Sequence, residues 1–123
     1  MCGNGQDFFG SSFLSCTLKR AAFINSNLTQ CNFAGSDLTE SHCQNSGLVK
    51  AKLSGANFTG ADLTMADLSH AVVDHSVFDK ANLHAVDITH ASLTGANLTG
   101  LRRTDQALLR AENFRTPAMT AKG

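Results

Sequence analysis

The chain has no tryptophan and no tyrosine in its 123 residues, and a single proline, Pro117. It has no apolar run of 18 residues, so no segment is read as a membrane-spanning helix. Met1-Cys2-Gly3-Asn4-Gly5 lacks the basic and apolar regions of a secretory leader, which makes a cytoplasmic location the default expectation. Net charge is also missing: ten Lys and Arg balance ten Asp and Glu. Residues 1–100 hold five basic and eight acidic side chains, hence −3. Residues 101–123 hold Arg102, Arg103, Arg110, Arg115 and Lys122 against Asp105 and Glu112, hence +3. Neither part has the charge of a nucleic-acid footprint, so no direct nucleic-acid partner is expected. No Ser–His–Asp arrangement, phosphate loop or metal motif of correct spacing is present, and no cofactor is implied.

A beat of five is present instead, and it does not slip between Gln6 and Gly100. Ala56-Asn57-Phe58-Thr59-Gly60, Ala61-Asp62-Leu63-Thr64-Met65 and Ala66-Asp67-Leu68-Ser69-His70 show it: small, polar, large apolar, then two mostly polar or small residues. The large slot holds Phe8, Phe13, Leu18, Phe23, Leu28, Phe33, Leu38, Cys43, Leu48, Leu53, Phe58, Leu63, Leu68, Val73, Phe78, Leu83, Ile88, Leu93 and Leu98. The slot two residues earlier is Ala, Ser or Cys, except at Gln6 and Val86. A period of five matches neither a helix nor a strand. It fits a square coil in which each pentapeptide forms one side, and the small and large residues point inward where close packing restricts them. Asn27, Asn32, Asp37, Asn57, Asp62, Asp67, Asn82, Asp87 and Asn97, just before the large residue, are suited to hydrogen-bonding turn backbones.

These blocks resemble the A(D/N)LXX signature of pentapeptide-repeat proteins over residues 6–100, about three quarters of the chain. The resemblance implies an all-β solenoid: a right-handed quadrilateral parallel β-helix with four sides per coil. About five coils at roughly 4.8 Å each would make a rod on the order of 23 Å long. The expected organisation is a lead-in over 1–5, the solenoid over 6–100, and a C-terminal helix and tail over 101–123. A solid rod of this kind offers no deep cleft for a substrate, so an enzyme is not expected. The resemblance implies a non-enzymatic protein-interaction module or scaffold, bacterial by family habit, with a protein partner of unknown identity. Two alternatives follow from the family: a DNA mimic that binds gyrase, which the weak charge of −3 disfavours, and an accessory or delivered protein of a secretion system.

Thr104 suits a helix N-cap and Pro117 a stop, with good helix formers between them. Leu101, Leu108, Leu109, Ala111 and Phe114 supply two apolar faces, for a lid on the last coil or a homodimer contact. In the first coil, Phe9, Leu14 and Ile24 stand at outward positions. They need a cover, a partner, or a loose coil edge. Val72 and Val77 replace the usual polar residue beside His75, Asp74 and Asp79. That is either a partner patch or drift, since Val suits extended backbone. His70 and His90, twenty residues apart, should stack as neighbours. They form a weak candidate metal pair, otherwise an ordinary surface ladder, and Lys50 next in the column repels a cation. Cys16, Cys31 and Cys43 sit in inward slots and read as buried thiols.

Overall fold

The computed structural model describes residues 4–98. The expected C-terminal helix, with Leu101, Leu108, Leu109, Ala111 and Phe114, lies outside the described residues, as does Cys2. Within them the backbone forms parallel bridges between residues twenty apart. One column joins Asp7, Asn27, Gly47, Asp67 and Asp87, and a second joins Ser12, Asn32, Lys52, Val72 and Ser92. The third joins Thr17, Asp37, Asn57, Val77 and Asn97, and the fourth Ala22, His42, Asp62 and Asn82. Each column is one side of the coil, numbered here in that order. Each pentapeptide places only one residue in a bridge, so the sides are too short for extended strands.

The repeat is dictated by where its five backbone N–H groups go, because a buried donor without an acceptor is costly. In the block 51–55, Ala51 N–H bonds back to Leu48 O at 3.0 Å and closes a turn. Lys52 N–H donates to Cys31 O in the preceding coil at 2.9 Å. Leu53 N–H and Gly55 N–H donate to Val72 O and Asp74 O in the following coil, at 2.7 and 3.0 Å. Four of the five are thus satisfied by backbone. The fifth, on the residue just after the large one, has no backbone acceptor. It is the donor for which a side chain must provide.

The corner has a second requirement. Every fifth residue from Gly5 to Gly95 has a positive φ, between 52° and 70°. Six are glycine. The other thirteen, among them Arg20, Glu40, Lys50, Met65, His70, His75, Lys80 and His90, hold a conformation that costs an L-residue about 1–2 kcal/mol. The pattern alone marks this slot only as one of two mostly polar or small positions. The turn instead holds it left-handed, at the third position of a four-residue turn that the next small residue's N–H closes.

The axis is filled. Every large-slot residue from Leu18 to Ile88 is at most 6% exposed, and Leu98 is 2% exposed; Phe8, Phe13 and Leu93 are half-buried. Phe58 and Phe78 stack at 5.0 Å with nearly parallel rings, as do Phe13 and Phe33 at 4.9 Å. Edge-to-face contacts join Phe23 to Phe8, Phe13 and Phe33, a geometry aromatic rings favour. In the small slot the hydroxyls are satisfied locally. Ser46 and Ser76 donate to Cys43 O and Val73 O at 2.7 and 2.6 Å, and Ser36 donates to Phe13 O.

Candidate functional site

The outward polar ladder carries most of the acidic groups of residues 4–98. The fifth N–H of the block is capped by the Asp or Asn two residues before it. Asp62 Oδ1 accepts from Thr64 N–H at 3.0 Å and from Thr64 Oγ1 at 2.6 Å. The same bond to the N–H of the second residue on is made by Asp7, Asn27, Asn32, Asp37, Asn57, Asp67, Asn82 and Asp87. The threonine hydroxyl beside Asp37 and Asp87 holds each carboxyl below its ordinary value, helped by the same residue's backbone N–H. A carboxylate engaged in this way serves as turn cap rather than as general acid or base.

Where the capping residue is absent, the neighbouring coil can supply one. Position 92 is serine, and Thr94 N–H is capped by Asp74 Oδ1 from the preceding coil at 3.1 Å. The same oxygen accepts from Ser92 Oγ at 2.5 Å. Likewise Ala22 cannot cap Ile24 N–H, and Asn4 Oδ1 does so at 3.0 Å. Asp74, which stands beside the Val72 and Val77 candidate patch in the sequence, therefore has a structural duty. Among the described residues, the buried side-chain oxygen without a partner is Gln44 Oε1.

His70 and His90 do stack, with ring centroids 4.9 Å apart and planes 26° from parallel. Nearly parallel rings point their nitrogens side by side rather than toward a common point. No group of three or more His, Cys, Asp or Glu among the described residues could hold a metal ion. His75 lies at the next corner, its ring over Gly95, where a Cβ would come within 2.5 Å of Nδ1.

Val72 and Val77 do not form one patch. Val72 bridges Lys52 and Ser92 on the second side, and Val77 bridges Asn57 and Asn97 on the third. Residues five apart leave the coil from adjacent sides. Val72 is 39% exposed, while Val77 is half-buried. In the first coil Phe9 and Leu14 are each 56% exposed; Ile24 is half-buried. Met65 is equally exposed, at 56%, and was missed; an apolar residue in the fifth slot was its only signal. Lys19–Asp37 and Arg20–Glu40 pair across coils at 3.8 and 3.7 Å, in contact with water and so contributing little. Cys31 and Cys43 are buried and Cys16 half-buried, all as free thiols. Burial pushes the Cys31 thiol above its ordinary value, and its Sγ donates to Phe8 O at 2.9 Å. No helix among the described residues is long and apolar enough to cross a membrane.

Comparison with known proteins agrees with this geometry. The profile of the family described as pentapeptide repeats matches in 8 copies over residues 16–55, 36–73 and 61–100. A pentapeptide repeat protein from the thylakoid lumen of Arabidopsis thaliana superposes with a TM-score of 0.84 at 25% identity, covering 97% of this chain and 90% of that one. The pentapeptide repeat protein Rfr23 from the cyanobacterium Cyanothece 51142 gives 0.74 at 21% identity, covering 84% and 80%. No match was found among curated proteins. With the family profile spanning residues 16–100 and these structures sharing the fold, the chain belongs to the pentapeptide-repeat proteins, built as a β-solenoid.

Proposed function

We propose that this protein is a non-enzymatic interaction module that recognises a protein partner through the side chains at its coil corners. The observation that carries the reading is the strain at those corners. Glycine relaxes a left-handed residue, yet thirteen of the nineteen corners are not glycine. Strain held in place against an easy alternative points to use of the side chain. The corner residues include exposed Arg20, Gln30, Glu40, Lys50, Met65, His70, Lys80 and His90, set in columns at the coil spacing. The acidic residues of the sides, by contrast, are engaged in capping the protein's own turns. Reading the rod as a mimic of DNA for gyrase is weaker. Eight acidic against five basic residues over 4–98 is far below the one charge per about 1.7 Å of duplex.

The test separates strain from recognition. Lys50, His70 and His90 share one corner column. The triple variant Lys50→Gly, His70→Gly, His90→Gly should melt higher than wild type, by the relief of three strained residues. In the cells that make the protein, a photo-crosslinking residue placed at Gln30 should capture a defined partner from the wild type and not from the variant. A variant that is less stable, or that captures the same partner equally, would refute the proposal.

A further inference from the structure

The geometry points to a second binding surface at the N-terminal end of the solenoid, and to a second copy of this chain, docked head to head, as its occupant. This does not depend on the corner columns. Throughout the rod each bridge residue donates its N–H to the preceding coil, as Asn27 does to Gln6 O at 2.9 Å and Asn32 to Ser11 O at 3.0 Å. In the first coil, Asp7, Ser12 and Thr17 have a bridge on one side only. Their N–H groups have no acceptor among the described residues. Here too the core opens. Phe8, Phe13 and Cys16 are half-buried, and Phe9 and Leu14 are each 56% exposed. An unpaired strand edge next to exposed apolar side chains is a template for pairing.

What fits it is set by shape. The free donors stand on three successive sides of a square. One extended peptide can pair with one side and then runs off the corner. Only another square coil with five residues per side meets three sides together, and the chain's own first coil is such an object. A two-fold axis through the middle of the second side sets Ser12 opposite the partner's Ser12. It sets the Phe9–Gly10 corner over the partner's Leu14–Ser15 corner, with Phe9 opposite the partner's Ser15 and Leu14 opposite the partner's Gly10, so the exposed Phe9 and Leu14 of the two copies share each corner. Asp7 then faces the partner's Thr17, while Lys19 and Arg20 face the partner's Asn4 and Gly5, so no like charges meet. Such a contact is isologous and closes at two copies. Strands spaced as in a sheet, with side chains outside, give an end about 20 Å across and about 800 Å² buried in total. That is below the ~1,200 Å² of a stable complex, so the dimer is weak and depends on concentration.

The experiment is sedimentation of the full chain from about 1 µM to about 1 mM, beside the double variant Phe9→Lys, Leu14→Lys. Lysine already occupies the equivalent turn position at Lys19, so the variant should fold, and its melting curve checks this. The wild type should pass from monomer to dimer with rising concentration, and X-ray scattering should show the long dimension nearly doubled. The double variant should stay monomeric at every concentration with an unchanged melting curve. A wild type that is monomeric throughout, or a dimer that persists in a folded double variant, overturns the proposal.

Discussion

Replacing Gly55 by alanine isolates the cost of the corner conformation. Gly55 has a φ of +70°, and a Cβ built there would come no closer than 4.0 Å to any atom, the nearest being Gly35 N. No clash contributes, so the left-handed backbone decides the outcome. That conformation costs an L-residue about 1–2 kcal/mol. The stiffer unfolded chain of the alanine variant returns about 0.4–1 kcal/mol. The net loss is about 1 kcal/mol, which for a domain of this size lowers the melting temperature by roughly 4–8 °C. Gly47 is the matched control. It occupies a bridge position, its φ is not positive, and a Cβ there meets only Thr29 Oγ1 at an ordinary 3.8 Å. Gly47→Ala should therefore keep only the unfolded-chain term and match or exceed wild-type stability. Thermal melts of the three proteins by circular dichroism decide it. A Gly55→Ala protein as stable as wild type, or a Gly47→Ala protein that falls with it, would refute the corner argument.

Two further outcomes follow from the core and the caps. Leu63 is fully buried on the axis, so Leu63→Ala should lose about 2–5 kcal/mol in denaturant titration; a loss under about 1 kcal/mol would contradict its inward place. Asp37 and Asp87 have carboxyls held below their ordinary values by the threonine two residues on. A depressed folded value means the stabilisation is full above the unfolded value near pH 4 and is lost as pH falls through the lower, folded one. Asn accepts the same N–H, so the Asp37→Asn, Asp87→Asn variant should melt less steeply with falling pH below about 4. An unchanged acid profile would show that these caps do not titrate with folding.

Much of this was legible because the period is short and never interrupted. The large and small slots alone specify which residues fill the axis, and an exposure of 0% at Phe23, Leu53 and Leu63 is what that spacing requires. The capping duty of Asp and Asn was also within reach, since these side chains favour their own backbone two residues on. The left-handed corner was not. Only eight of its nineteen occupants are Gly or Asn, namely Gly5, Gly10, Gly35, Gly55, Gly60, Gly95, Asn25 and Asn45. Lysine, histidine, methionine and glutamate in the rest hide a backbone requirement that composition normally reveals. The capping role of Asp74 was hidden for a related reason. Its partners, Ser92 and Thr94, are eighteen and twenty residues away, so its role appears only once the coils are stacked. Val72 and Val77 looked adjacent in sequence, yet a five-residue step turns a corner.

The same backbone bonds leave a regular rod room for varied side chains. Four donors in a block such as 51–55 are fixed by main chain; where Asp or Asn precedes the large residue it caps the fifth, and at Ile24 and Thr94 a neighbouring coil does so. Side 2 shows the consequence: Ser12, Asn32, Lys52, Val72 and Ser92 follow one another in a single bridge column without disturbing it. Outward slots that do not cap a turn are therefore able to differ from coil to coil without disturbing the backbone pairing. The corner slot is the exception, because residues there other than glycine and asparagine are strained. A column that holds Gln30, Lys50, His70 and His90 in succession keeps that strain four times over in adjacent coils. Drift alone would relax it toward Gly or Asn, since each such change stabilises the rod. The recognition proposed above would supply the opposing pressure, and under that proposal the partner lies along an edge of the rod rather than on a flat side.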